Sequence, residues 1–490
     1  MAALAIAASL VGAGPAGASV GWGINLDGAV SGNPPAFSYQ TNPYLTQLLG
    51  GAPCRNSDAM CYARIYVPWD AVNDGRGSFA DGTCEPSASG PGTPAATLAG
   101  QLSAASRLVG VSHVLVTLTV AGLPNDDIWP TDAEYECGLS GLERRAPGVK
   151  EWEVFNEPDS IYAGDSTATG GPDCIRRNGA WVGGAGVQYQ CLFGNSAARP
   201  RGGNGHGGSA QGAAYWYLDA KKVDSNPDHT LLAGGFNYSS SRCTPTACYY
   251  PRGYFRVLSE IYPRPPDAVA LNPYIDVSYA ALNGGNPAPA SSSGLPSAEG
   301  AIAVVDRFYP TGPPIWFTEV GVWLTDAGKE PVTSGCRDGN PQDDGTWAAC
   351  LNGNPKAQAL AAEGYLRLPS ESSQVMRVYY YDFDDQNPGW DSGLVNVSAP
   401  LLGPHGDGTP RTAWCVLHAF AQGRPPAVAA GAALAAGSGC DSPAVDAAYL
   451  SNPLPVSAAA PIIAGEVGRD VMLAVTERIR ALAAAITGSA

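Results

Sequence analysis

The stretch EWEVFNEP, residues 151–158, alternates acidic and apolar side chains and then meets a proline. Proline has a fixed φ and no amide hydrogen, so strand pairing stops there and a turn or helix begins. Glu157 is thereby left at the C-terminal end of a strand. Two readings follow: a plain strand end, or a carboxyl group held at the rim of a sheet for chemistry. The remainder of the chain decides between them.

Working outward, seven more runs share the β-branched and aromatic character of this one. They are VGWGINL (20–26), YARIYVPW (62–69), HVLVTLTVAG (113–122), LLAGGF (231–236), AVALNPY (268–274), PIWFTEVGVW (314–323) and VMRVYYYDF (375–383). Each is followed by a helical pattern, as in TPAATLAGQLSAASRLVG after the second run and NPKAQALAAEGYLRL after the seventh. Eight strand–helix alternations with near-continuously apolar strands predict an α/β fold, a (β/α)8 TIM barrel. An open doubly wound sheet is the alternative, but no Gly-x-Gly-x-x-Gly turn and no P-loop follows the first strand. Long segments follow strand four (about 160–208) and strand seven (about 324–354), at the barrel end where active sites are built. They are expected to wall a cleft; simple surface insertion is the other reading.

Three segments are expected. Residues 1–19 resemble a secretory signal, apolar and ending in Ala-Gly-Ala, with a buried N-terminal helix as the rival reading. Residues 20–422 form the catalytic barrel. Residues 423–490 are an Ala/Pro-rich extension in which Val467, Val471, Val475, Ile479, Leu482 and Ile486 recur at helical spacing.

The chain has 490 residues, 45% of them hydrophobic, and a net charge of −16. That charge argues against nucleic acid or an anionic membrane as partner, and suits a neutral substrate. No apolar run reaches bilayer length. Twelve cysteines without Cys-x-x-Cys spacing predict disulfides and an extracellular location. Local pairing would join Cys54 to Cys61, Cys174 to Cys191, Cys243 to Cys248 and Cys336 to Cys350. The five scattered histidines make a zinc site the weaker reading, and neither a metal nor a cofactor is expected.

Strand four ends in Glu157 and strand seven in Glu319. By the alternation of side chains, Glu157 shares a face with Phe155 and Glu153, and Glu319 with Phe317 and Ile315. If those faces point inward, two carboxyl groups meet at the barrel mouth. One can protonate a leaving oxygen while the other attacks or activates water, as glycoside hydrolysis requires. Glu153 is read as a buried, partnered structural residue, and Glu151 as lying at the strand entrance.

Asn-Glu-Pro closing strand four, with Glu closing strand seven, resembles clan A of the glycoside hydrolases. Its members include the cellulases and mannanases of family five and the xylosidases and endo-glycosidases of family thirty-nine. The resemblance spans the barrel as an ordered set of motifs. It implies retention, with Glu157 as acid/base and Glu319 as nucleophile, and Asn156 bonding the sugar 2-hydroxyl. Tyr274 would bond the nucleophile, and Arg64 would keep it ionised. Two positions depart from the pattern: Asn272 stands where histidine is common, and strand eight reads VYYYDFDD without the usual tryptophan. Tyr381, Phe383 or Trp390 would replace that ring. Trp69, Trp129 and Trp323 follow strands two, three and seven and could stack on sugars, ordinary loop packing being the other reading. Asp382, Asp384 and Asp385 could bond hydroxyls or a structural cation.

The expected protein is a secreted, retaining, endo-acting β-glycosidase on a β-linked polysaccharide or oligosaccharide. An exo-acting enzyme and an inactive carbohydrate-binding barrel are the alternatives.

Overall fold

The computed structural model describes residues 20–26, 43–49, 60–71, 94–119, 130, 132–157, 176–177, 180–181, 210–237, 249–282, 285, 297–321, 355–381, 383, 393–394 and 410–436. Eight parallel strands close a barrel. In chain order they are β1 (Gly21–Asn25), β2 (Met60–Pro68), β3 (Val114–Thr119), β4 (Glu151–Glu153), β5 (Thr230–Asn237), β6 (Ala268–Asn272), β7 (Ile315–Val320) and β8 (Val375–Tyr380). Each pairs with its sequence neighbours, and β8 returns to β1. Between and after them run α1 (Pro43–Leu49), α2 (Pro94–Val109), α3 (Asp132–Arg145), α4 (Ala210–Val223), α5 (Tyr249–Ile261), α6 (Tyr274–Leu282), α7 (Ala298–Phe308), α8 (Pro355–Arg367), α9 (Thr412–Ala421) and α10 (Pro426–Ala436). The expected (β/α)8 barrel is therefore the fold.

The barrel interior has two layers of opposite character. Leu115, Leu232, Ala268, Ala270, Trp316 and Tyr379 form one cluster with Tyr62 packed against it. Side chains from so many strands can meet only inside the closed ring. Space for the tyrosines comes from β1, where a Cβ on Gly23 would lie 2.5 Å from the Tyr379 ring. Arg377 caps this floor, 4.2 Å from the Tyr62 ring centroid and 5.3 Å from that of Trp316. Two residues further along their strands, and so on the same face, come Asn25, Arg64, Thr117, Glu153, Asn272 and Thr318. All six are fully buried. A hydrophobic floor thus carries a polar second storey.

Strand alternation fails at both glutamate-bearing strands, and the sequence expectation is corrected there. After Glu153 the chain bends, and Phe155 turns outward to stack on Trp216 of α4 at 4.3 Å. On β7 the interior face carries Trp316 and Thr318, so Glu319 is out of phase with it. A register shift between β8 and β7, spanning Phe317 to Val320, supplies the odd residue that turns Glu319 inward as well. Glu151 is the first residue of β4, at the strand entrance as expected, and is buried there beside Arg377 and Tyr379.

The chain divides into two units, Met1–Ser438 and Gly439–Ala490, and the second lies outside the described residues, as does the helix expected over 467–486. Within the first unit, α10 packs its alanines Ala429, Ala430 and Ala433 against α8 and α9. The Ala-rich composition after Gln422 therefore begins with a packed helix. No described helix is long and apolar enough to cross a membrane. No described cysteine is free: Cys61, Cys137 and Cys415 are disulfide-bonded. The four local pairings expected from the sequence each involve residues outside the described set.

Candidate active site

At the C-terminal end of β7, Glu319 is almost fully buried and is gripped at both carboxylate oxygens. Oε1 accepts from Arg64 Nη1 at 2.6 Å and from the Tyr66 hydroxyl at 2.7 Å. Oε2 accepts from the Tyr274 hydroxyl at 2.7 Å. Tyr274 opens α6 directly after β6, which aims its ring across the mouth. Burial, together with the charges of Glu319 and Glu157 and the neighbouring Tyr381, pushes the Tyr274 phenol well above its ordinary range. It therefore stays protonated and keeps donating.

Arg64 is fully buried at the centre of the second storey. Its Nε donates to Thr117 Oγ1 at 2.7 Å and Glu153 Oε2 at 2.9 Å. Nη1 also reaches Asn25 Oδ1 at 3.2 Å and the Tyr66 hydroxyl. Nη2 lies 2.7 Å from Glu153 Oε2 and donates to Asn156 Oδ1 at 2.9 Å. Burial opposes its charge, but Glu153, Tyr66 and Glu319 outweigh that and hold it well above its usual range, as a cation. Burial pushes the Glu153 carboxyl up against the pull of Arg64 and Thr117. One cation thus pairs with two carboxyl groups, and its planar fork sets the geometry of both.

Glu157 reaches the mouth by a different device. Among the described residues it is the one non-glycine with positive φ, at 36°. Such a backbone costs roughly 1–3 kcal/mol and persists where its surroundings over-determine it. Here its amide donates to the Gly235 carbonyl at 2.9 Å, and Asn156 N donates to Leu118 O at 2.7 Å. Gly235 is itself at φ 86° in a register shift of β5 against β6. A Cβ there would meet Glu153 Oε1 at 2.5 Å and Phe155 O at 2.7 Å. Tyr135 of α3 ties the bend from outside, its hydroxyl donating to Val154 O at 2.8 Å. Glu157 Oε1 then accepts from Asn272 Nδ2 at 3.0 Å.

Of the residues singled out in the sequence, Arg64, Asn156, Glu157, Tyr274 and Glu319 share this network. Tyr381 stands edge-on to Tyr274, ring centroids 6.0 Å apart. Trp69 is corrected: it is fully buried, with its carbonyl filling the space where Gly138 of α3 lacks a side chain, so its ring offers no open stacking face. Phe383 is likewise buried. Trp129, Trp323, Trp390, Asp382, Asp384 and Asp385 lie outside the described residues, as do most of the long segments after β4 and β7. Sequence reasoning missed Tyr66, Thr117, Thr318 and Asn25. Tyr66 was within reach, because it stands two residues beyond Arg64 on the same face of β2.

Away from the mouth, Glu143, Asp224 and His229 offer possible ligand atoms within 4.8 Å of one another. His229 Nδ1 already pairs with Asp224 Oδ2 at 2.9 Å. Burial and the charge of Asp224 push the Glu143 carboxyl up to about 8.

Fold and site together define a (β/α)8 barrel with a paired-glutamate mouth organised around one buried arginine. No known family model matches the chain, and no curated protein matches it. Among solved structures it is similar to an endo-1,4-beta-xylanase from Penicillium canescens, with 12% identity and TM-score 0.43 over 83% of this chain and 96% of that one. An endo-beta-1,4-glucanase from Xanthomonas axonopodis pv. citri gives 13% and 0.39, over 83% and 100%. Xylanase 10B from Thermotoga petrophila gives 12% and 0.42, over 83% and 94%. Likenesses this distant do not carry an activity across.

Proposed function

We propose that the chain is a retaining glycoside hydrolase that cleaves β-linked polysaccharide by double displacement. The observation that carries this reading is the arrangement of Glu157 and Glu319. Both stand at the C-terminal rim of one barrel, and each is held by donors in a separate way. Glu319 is fixed by Arg64, Tyr66 and Tyr274, and Glu157 by Asn272 and the strained bend.

In the first step Glu319 attacks the anomeric carbon while Glu157 gives its proton to the glycosidic oxygen. The carbon–oxygen bond breaks, the alcohol departs, and a glycosyl ester on Glu319 remains. Glu157, now ionised, takes a proton from water, whose oxygen attacks the same carbon and releases Glu319. Arg64 supplies the positive field that suits an ionised nucleophile. Tyr274 and Tyr66 preorganise the two carboxylate oxygens, so little reorganisation is needed as charge leaves the group. Asn156 has its carbonyl oxygen committed to Arg64, which turns its amide nitrogen into the donor available to a sugar hydroxyl.

Endo action is the preferred form, because the longest segments follow β4 and β7 and would wall a groove. The cysteine content and the apolar start support export. Incubation with an activated fluorosugar tests the chemistry: a covalent adduct on Glu319 is expected. A polysaccharide panel read by product mass tests the mode of action, mixed oligomers indicating endo and single sugars exo. An inverting enzyme would form no adduct, and its carboxyl groups would stand about 6.5–9.5 Å apart instead of about 5–5.5 Å.

A further inference from the structure

Asn272 closes β6 and is fully buried, a place where a polar side chain must have its partners. Both ends of its amide are engaged. Nδ2 donates to Glu157 Oε1 at 3.0 Å, and Oδ1 accepts from Thr318 Oγ1 at 2.9 Å. Thr318 is the residue before Glu319, so the amide bridges the strand ends that carry the two carboxyl groups. Its hydroxyl also lies 3.3 Å from Glu153 Oε1, and the shorter contact is the one to Asn272.

We propose that Asn272 is the positioning residue for Glu157. It holds the carboxyl group in place and lowers its proton affinity, while Thr318 sets which end of the amide faces it. The inference deepens the reading of Glu157 as acid/base and rests on it. With the amide turned the other way, Oδ1 would face the carboxylate and repel its ionised form. With the Thr318 hydroxyl occupying Oδ1, the N–H end is committed to Glu157, and a donor to a carboxylate favours ionisation. An amide does not titrate, so this donor persists at every pH at which the fold survives. The charged and titratable groups facing the same space are Arg64, Tyr66, Glu153, Tyr274 and Glu319.

The test is a carboxyl 13C NMR titration of glutamate-labelled protein, with the Glu157 signal assigned by its loss in Glu157→Gln. Asn272→Leu is expected to raise the Glu157 midpoint by about one pH unit, the worth of a hydrogen bond to a charged group. Asn272→Asp, which places a second carboxyl there, raises it further, and Thr318→Val raises it less than Asn272→Leu. The alkaline limb of the kcat/KM profile should move by the same amount in the same direction. A residue that merely supported the fold would lower activity at all pH values and leave both midpoints in place. An unmoved Glu157 midpoint in folded Asn272→Leu or Asn272→Asp overturns the proposal. If Asn272→Leu does not fold, an unmoved midpoint in Thr318→Val overturns the part assigned to Thr318, and Asn272→Asp decides the rest. Loss of the acid/base reading would show separately, as hydrolysis surviving in Glu157→Gln, and the NMR titration would still report on Asn272.

Discussion

Arg64 and Glu319 meet at 2.6 Å across the barrel, from β2 to β7, and the same guanidinium lies 2.7 Å from Glu153 on β4. Because all three are buried, Arg64→Met leaves two carboxylates without their cation and is expected to cost about 3–5 kcal/mol of stability. Glu153→Gln leaves the Arg64–Glu319 pair in place and should cost less. The double variant should cost less than the sum of the two. Denaturant unfolding of the three proteins reads this directly, and additive losses would show that the pair is not coupled.

The two glutamates should differ in how their loss is repaired. Glu157→Ala and Glu319→Ala are each expected to lose at least roughly 10³-fold in kcat on polysaccharide. With an aryl glycoside whose leaving group needs no proton, Glu157→Ala should keep much of its first step while Glu319→Ala does not. Equal losses on both substrate types would contradict the assigned roles.

Tyr274→Phe removes the hydroxyl that donates to Glu319 Oε2 and little volume. A loss of roughly 10²-fold in kcat, with KM nearly unchanged, is the expected result. Steady-state kinetics checks it; a change confined to KM would place the hydroxyl in ground-state binding instead.

Gly235→Ala tests the bend that presents Glu157. The added methyl would collide with Glu153 and Phe155 from a backbone at positive φ. Both a lowered melting temperature and a loss of activity exceeding the loss of folded protein are expected. Unchanged activity in the folded fraction would show that the bend does not aim the carboxyl group.

Stability should also fall as pH rises from about 4.5 to about 8. Burial holds the Glu151 carboxyl up at about 7, and Glu143 and Glu371 up at about 8, from an ordinary 4.5. A raised carboxyl binds its proton more tightly in the folded state. The folded chain therefore carries more protons than the unfolded chain between those values, and its stability declines across that window. Melting temperatures from pH 5 to 8 check the sign, and Glu151→Gln should flatten the lower part of the curve.

The fold was legible because each strand keeps its apolar run and each helix its period, features that survive without knowledge of partners. Glu157, Glu319 and Tyr274 were legible because each lies at or near the end of such a run, whereas Arg64, inside the second run, was legible through the resemblance in motif order. Their orientation was not. Counting alternate residues put Phe155 inside and grouped Glu319 with Phe317, because a bulge exists only in the pairing of two strands and leaves no mark in either one. Gly234 and Gly235 were the visible hint, two adjacent glycines in a strand that otherwise has no need of them. Trp69 was misread for a related reason: its burial is a tertiary property, its carbonyl packing against Gly138 of α3 far along the chain.

The polar storey above the hydrophobic floor also bears on how this barrel can be divided. A fragment ending before β5 would keep Arg64 and Glu153 together but would lack Glu319, Thr318 and Asn272. The complementary fragment would hold the proposed nucleophile with no cation beside it. Neither half contains a smaller version of the site, so the chain offers no working intermediate between an open set of strands and a closed ring.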